Sequence, residues 1–286
     1  LLYLTYGLCE PHGPHNAVGL DALKAHGIAC RAAQRSGGIV APPDYWHIHE
    51  LSGYSVWAAN AVGEVERSWM TATPPWIHFK NICYHIRAAE ALGFQAILLI
   101  TGHYGPNWND LKTLTDLIQP FTRARLYSLP DKEANKPGFD GDGKRSGDHA
   151  GKVETSLLWA VEPGCVDTSR FPGPSEPRPH FAMGKDAREA DRRIGERMVE
   201  DEVRWLGEKA EALLKAYGDE VRESRFLTFA DVESFWDREV EPVLGDFLTM
   251  QPSWDSQGGE RVSETSVWFP NSRVPGREKQ NPFDSK

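Results

Sequence analysis

Cysteine is scarce and scattered. Cys9, Cys30, Cys83 and Cys165 are the only four in 286 residues, and none stands in a Cys-x-x-Cys pair. A disulfide framework and a zinc finger are therefore both excluded, and the thiols are expected to be reduced and mostly buried. Long apolar runs are missing too: none approaches the roughly 18 to 20 residues needed to cross a bilayer. The opening Leu1-Leu2-Tyr3-Leu4 has neither a basic flank nor a cleavage site. The expectation is a soluble, cytoplasmic protein with no membrane partner. Positive charge is in deficit, 32 Lys and Arg against 41 Asp and Glu, for a formal net charge of -9. Nucleic-acid affinity rests on clustered cations that neutralise phosphates, so a nucleic-acid partner is excluded and a small neutral or cationic molecule is expected.

What is present is enough apolar material, 40% of the chain, to bury a sizeable core. The pattern alternates strands and helices. A strand over 1–9 precedes a helix from Asp21 to a Gly37-Gly38 stop, and 39–41 reads as a second strand. Residues 44–73 are aromatic and irregular, as in a loop that walls a pocket, and Pro74-Pro75 opens a helix carried to Gly93. The continuous run Gln-Ala-Ile-Leu-Leu-Ile-Thr at 95–101 marks a strand covered on both faces. A helix over 107–119, a strand over 124–129 and a helix over 150–162 follow. The charged segment 185–217 carries Val199, Val203, Leu206, Ala210, Leu213 and Tyr217 at helical spacing, a stripe for packing on the body or on a second subunit. This is an α/β pattern: a three-layer helix-sheet-helix fold with a mainly parallel central sheet. Residues 1–250 are read as one domain and 251–286 as an irregular arm.

Chemistry gathers in four places. In a strand, residues two apart share a face, so Glu10 and His12, just beyond the first strand, can converge on one ion. Asp21 opens the next helix, where a carboxylate also makes a good N-cap. His103 follows the central strand, and the carboxyl edge of a parallel sheet is where open α/β folds place their ligands. The fourth is the segment Asp148-His149-Ala150-Gly151-Lys152-Val153-Glu154-Thr155-Ser156. Two other motifs fail. Gly138 to Lys144 has the glycine spacing of a phosphate loop, but Arg145 replaces the required hydroxyl residue and two Asp would repel phosphate. The same stretch fails as an EF-hand, because Lys144 stands where an acidic ligand belongs. His47 and His49 have spacing that suits metal or substrate, and also suits a pocket or interface.

Glu-x-His-Gly-Pro-His with an Asp nine residues after its first His, then Gly-His after a strand, then His-Ala-Gly-x-x-Glu-Thr-Ser, resembles the creatininase (creatinine amidohydrolase) family in order and spacing. The resemblance covers roughly residues 1–170. It implies an α/β hydrolase, a homo-oligomer and commonly a hexamer, with two divalent ions per subunit. The ligands would be Glu10, His12, Asp21 and His103, Asp21 being shared between the ions. Creatininase itself has an acid where this chain has Gly105, so Glu154 is expected to supply that ligand, and a member other than creatininase is implied. Imidazole and carboxylate suit Zn²⁺ or Mn²⁺, with iron as a further candidate. A hydroxide held between the ions would be the nucleophile. His149 would shuttle the proton, oriented by Asp148, in place of the Glu that creatininase has there. Tyr104, Trp46 and His47 are the expected substrate contacts. The expected reaction opens a small cyclic substrate at a carbonyl, by default a cyclic amide. Two alternatives stand beside it: C–C hydrolysis of a polyhydroxylated cyclic ketone such as a dehydro-inosose, and a catalytically silent protein that binds a small molecule through its metals.

Overall fold

The computed structural model describes residues 1–48, 54–105, 107–135, 148–219, 222–250, 263 and 265–268. In chain order the elements are β1 (Leu2–Tyr6), α1 (Leu20–Ser36), β2 (Ile39–Val40), β3 (His47–Ile48), α2 (Tyr54–Ala61), β4 (Ala72–Thr73), α3 (Pro75–Ala91), β5 (Ala96–Thr101), α4 (Asn107–Ile118), β6 (Arg125–Pro130), α5 (Lys152–Val161), α6 (Arg192–Gly218) and α7 (Phe229–Phe235). Four strands form one sheet in the order β2-β1-β5-β6, parallel throughout. Leu4 of β1 faces Leu99 of β5, and Leu99 in turn faces Ser128 of β6.

The two-residue alternation of a strand sends successive side chains to opposite faces. Leu2, Leu4, Tyr6, Ile97 and Leu99 enter a core shared with Phe79, Ile82 and Ile86 of α3, Leu111 and Leu114 of α4, and Phe235 of α7. Tyr3, Leu98 and Ile100 enter a second core with Ala25, Ile28 and Ala32 of α1, Leu157 of α5, and Met198, Val203 and Leu206 of α6. The expected three-layer architecture is therefore what the chain adopts. Each central strand is buried along its length, which explains why the 95–101 run shows no polar alternation. The apolar stripe of α6 is used within the chain, against α1 and α5.

Three boundaries differ from expectation. Strand β1 stops at Tyr6 rather than reaching Cys9, because the start of α1 sits directly on the backbone at Gly7. Helix α6 begins at Arg192, seven residues later than the 185 read from the sequence. Residues 187–189 form a separate 3₁₀ turn, and the Asp191 side chain caps the helix by accepting the Arg193 N–H at 2.6 Å. The 44–73 stretch holds more regular structure than its composition suggests: β3 and β4 pair in parallel, and α2 lies between them. Most of the expected 251–286 arm, His49 and the rejected 138–145 motif lie outside the described residues. Of the arm, Trp268 is buried against Ala58, Val62 and Ala182, and its indole donates to Gly63 O at 2.8 Å. Among the described residues no helix is long and apolar enough to cross a membrane.

Glu202 of α6 closes the turn after β6, its Oε2 accepting the Ala134 N–H at 2.7 Å. Burial pushes this carboxyl up to about 8, with the nearby Asp131 and Glu133 adding to the effect. A folded-state pKa above the unfolded value means that the folded chain holds the extra proton. The contribution to stability is complete below the ordinary value of 4.5 and is lost as pH rises through about 8. Urea denaturation should show the wild type losing more stability than Glu202→Gln between pH 4.5 and pH 8. Parallel curves for the two proteins would contradict this assignment.

Candidate metal centre

The parallel sheet turns all its carboxyl ends to one edge. Glu10 and His12 follow β1, His103 and Tyr104 follow β5, and Asp131 and Lys132 follow β6. Two of the helices that begin at this edge contribute carboxylates: Asp21 lies in the first turn of α1 and Glu154 in the first turn of α5, where the unpaired N–H groups of a helix start favour negative charge. A Cβ on Gly102 would fall 2.1 Å from Asp21 O, so only glycine lets β5 and α1 approach closely enough to bring His103 onto Asp21.

The five candidate ligands come together. His103 Nδ1 lies 3.0 Å from Glu10 Oε1 and 3.1 Å from Asp21 Oδ2. His12 Nε2 lies 3.3 Å from Asp21 Oδ1, 3.8 Å from Glu10 Oε1 and 3.9 Å from Glu154 Oε2. Two trios of convergent donors result, Glu10–Asp21–His103 and His12–Asp21–Glu154, with the ligand atoms of each within 4.8 Å of one another. A third grouping of the same kind is Glu10–His12–His149. The convergence of Glu10 and His12 is a loop property, since β1 has already ended. It is secured when His12 Nδ1 donates to the Glu10 carbonyl at 3.0 Å, which leaves Nε2 facing the carboxylates.

Electrostatics follow from packing three carboxylates and two imidazoles into a buried space. Burial raises Glu10, yet the charges of His103, His149 and His12 outweigh it and hold the carboxyl at about 2. Asp21 is likewise held well below its ordinary range, burial being overcome by His12 and Lys24. Burial opposes protonation of His12, but Asp21 and Glu10 carry it up to about 9. His103 is raised well above its ordinary value in the same way. His12 Nε2 and Asp21 Oδ1 are buried 3.3 Å apart. This donor set, hard oxygens plus imidazole with lone pairs turned inward, fits divalent cations of the Zn²⁺ or Mn²⁺ type.

His149 stands at the mouth. Its side chain is 29% exposed, whereas those of Glu10, His12, Asp21, Glu154 and His103 are at most 5% exposed. Its Nε2 lies 2.8 Å from Pro11 O. A carbonyl only accepts, so Nε2 carries the proton and Nδ1 is the bare atom of the neutral ring, 4.0 Å from Glu10 Oε1. The ring stacks on His12, centroids 4.6 Å apart, and stands nearly perpendicular to Trp57, centroids 4.8 Å apart. Burial lowers its pKa, which favours the neutral form.

Other expected roles are redistributed. Asp148 does not orient His149: its Oδ2 accepts the Glu154 N–H at 2.6 Å, so it caps the start of α5 and thereby positions Glu154. Its carboxyl is pushed up to about 7, by burial first and by Glu154 second. Trp46 is 59% exposed. His47 is buried behind His103, with ring centroids 5.2 Å apart, and is engaged with Ile48 O at 3.1 Å and Thr101 Oγ1 at 3.2 Å. The Tyr104 hydroxyl donates to Asp131 Oδ1 at 3.0 Å, and its ring lies between the ammonium groups of Lys24 and Lys132, at 4.0 and 3.9 Å from the centroid.

The sequence reading missed Lys24 and Asp131. Lys24 is wholly buried, with Nζ 3.3 Å from Asp131 Oδ2, 3.3 Å from Glu154 Oε1 and 3.6 Å from Asp21 Oδ1. One signal was available: Lys24 follows Asp21 by three residues on a helix, so the two share a face. Asp131 follows a strand just as Glu10 and His103 do.

Comparison with known proteins decides the family. The model of the creatininase family, described as creatinine amidohydrolase, matches residues 1–224. The chain belongs to the creatininase family. Solved structures with the same fold include creatinine amidohydrolase (creatininase), at TM-score 0.59 and 23% identity over 74% of this chain and 90% of that one. A creatininase named for Mn aligns at TM-score 0.59 and 23% identity, covering 74% and 91% of the two chains, and a mutant creatininase of Zn-Zn type at 0.58 and 23%, covering 74% and 90%. A Bacteroides fragilis protein provisionally named a creatinine amidohydrolase aligns at 0.57 and 21%, covering 78% and 92%. No curated protein sequence matches. At 21–23% identity to these structures, this creatininase-family member is distinct from creatininase itself.

The approach of Gly102 to Asp21 gives a test that touches no candidate ligand. Gly102→Ala must displace backbone, an overpacking cost of about 1–3 kcal/mol. Chemical denaturation should show this loss; a variant as stable as the wild type would contradict the geometry.

Proposed function

We propose that this creatininase-family member is a divalent-metal-dependent hydrolase that opens a small cyclic amide at its C–N bond. The observation that carries the reading is the split carboxylate of Asp21, whose Oδ2 faces His103 at 3.1 Å while Oδ1 faces His12 at 3.3 Å. One residue thus serves both trios, an arrangement suited to a pair of cations. Glu10, Asp21 and His103 would hold one ion, and His12, Asp21 and Glu154 the other. The Mn and Zn-Zn names of the related structures support these metals. When bound, such ions supply Lewis acidity toward a carbonyl and bring the pKa of water down to about 7.

The chain's own residues supply the rest. Substrate enters on the side of His149, the most exposed member of the cluster, and the Trp57 ring offers an apolar wall. His149 Nδ1 takes the proton of the attacking water and passes it to the amide nitrogen as the C–N bond breaks. The Pro11 carbonyl fixes the tautomer that makes this possible, and Asp148 holds Glu154 through the helix start. Resemblance to the family extends the proposal to a homo-oligomeric assembly.

Elemental analysis of metal-replete protein should find two divalent ions per chain. A panel of cyclic amides should reveal one that is hydrolysed, with activity lost to chelator. His149→Gln should lower kcat by about 10²- to 10⁴-fold while metal content stays unchanged. Activity that survives this substitution would remove His149 from the proton path, and metal content near zero would sink the reading as a whole.

A further inference from the structure

We propose that Lys24 is a built-in cation that makes the two ion positions unequal, so that the Glu10–Asp21–His103 position fills first and tightly and the His12–Asp21–Glu154 position second and weakly. The inference rests on the dinuclear reading above.

The asymmetry lies in which oxygens the ammonium meets. Lys24 Nζ is 3.3 Å from Glu154 Oε1 and 3.6 Å from Asp21 Oδ1. It therefore contacts both carboxylates of the second trio. Of the first trio it meets Asp21, and does so through Oδ1, the oxygen turned to His12 rather than the one turned to His103. A divalent ion entering the second position would share its two anionic ligands with a fixed positive charge. At 0% exposure no solvent intervenes to screen the repulsion.

Lys24 is anchored there. It donates to the Gly102 carbonyl, pairs with Asp131 at 3.3 Å and lies over the Tyr104 ring. Asp131 is fixed in turn by the Tyr104 hydroxyl and belongs to neither trio. The neighbouring carboxylates hold the ammonium in its charged form against the effect of burial. Glu154 is committed on its other side, where Oε2 accepts the Ala150 N–H at 2.7 Å. The second position is therefore the place where ion loading can be incomplete.

Calorimetric titration of the metal-stripped, full-length chain with Mn²⁺ tests this directly. The wild type should bind in two steps, the second roughly tenfold or more weaker. Glu10→Gln should abolish the tighter step and Glu154→Gln the weaker one. Lys24→Met should tighten the second step by roughly tenfold or more and leave the first in place. The double variant Lys24→Met/Asp131→Asn removes the ammonium together with its counter-charge and should shift the second step in the same direction by a smaller factor, because the more distant Asp131 charge is lost as well; it guards against misfolding of the single variant. Two equal steps in the wild type overturn the inference while leaving the dinuclear reading intact. So does a second step that is unmoved or weakened in either folded Lys24 variant. Uptake of fewer than two equivalents by the wild type overturns both.

Discussion

Crowding Glu10, Asp21 and Glu154 into one buried edge creates a concentration of negative charge that must be balanced where it sits. Buried carboxylates are tolerated when paired or metal-bound, and here the pairing is supplied by His12, His103 and Lys24. The requirement for counter-charge explains features that share no sequence neighbourhood. It accounts for the raised affinity of both imidazoles for protons, for a lysine with no exposed surface, and for the placement of two carboxylates at helix starts. In the proposed function divalent cations take over most of this balance, and three carboxylates against two such ions leave one positive charge over.

The fold makes the crowding possible. A sheet whose strands all run the same way delivers the residues after β1, β5 and β6 to one edge. Two apolar cores, one on each face, hold those strands rigidly enough for ligand positions to be set by backbone. Gly7 and Gly102 then let α1 settle onto the strand ends. In the proposed function, substrate specificity would fall to the rim instead, to His149 and Trp57.

Much of this was legible in the sequence, for physical reasons. The 95–101 run could be read as a two-faced strand because burial on both sides removes alternation. Glu10, His12, Asp21, His103 and Glu154 could be named because their order and spacing resemble a family whose model matches the chain. Glu154 was expected to replace the acid absent at Gly105, and its Oε2 does lie among the His12–Asp21 donors. Roles set by three-dimensional neighbours were not legible. Asp148 looked like the partner of the adjacent histidine, but a helix start needs a cap and the Pro11 carbonyl, distant in sequence, already holds His149. Lys24 reads as a surface lysine on an amphipathic helix until the topology brings Asp131 and Glu154 to it. His47 was placed at the substrate, whereas tertiary packing puts it behind His103.

The central claim is that Asp21 is shared between two cations at the sheet edge. An anomalous-scattering map from crystals grown with excess Mn²⁺ tests it most directly. The account predicts two peaks flanking the Asp21 carboxylate, one beside Glu10 and His103 and the other beside His12 and Glu154. A single peak, or a pair in which Asp21 touches only one ion, would contradict it.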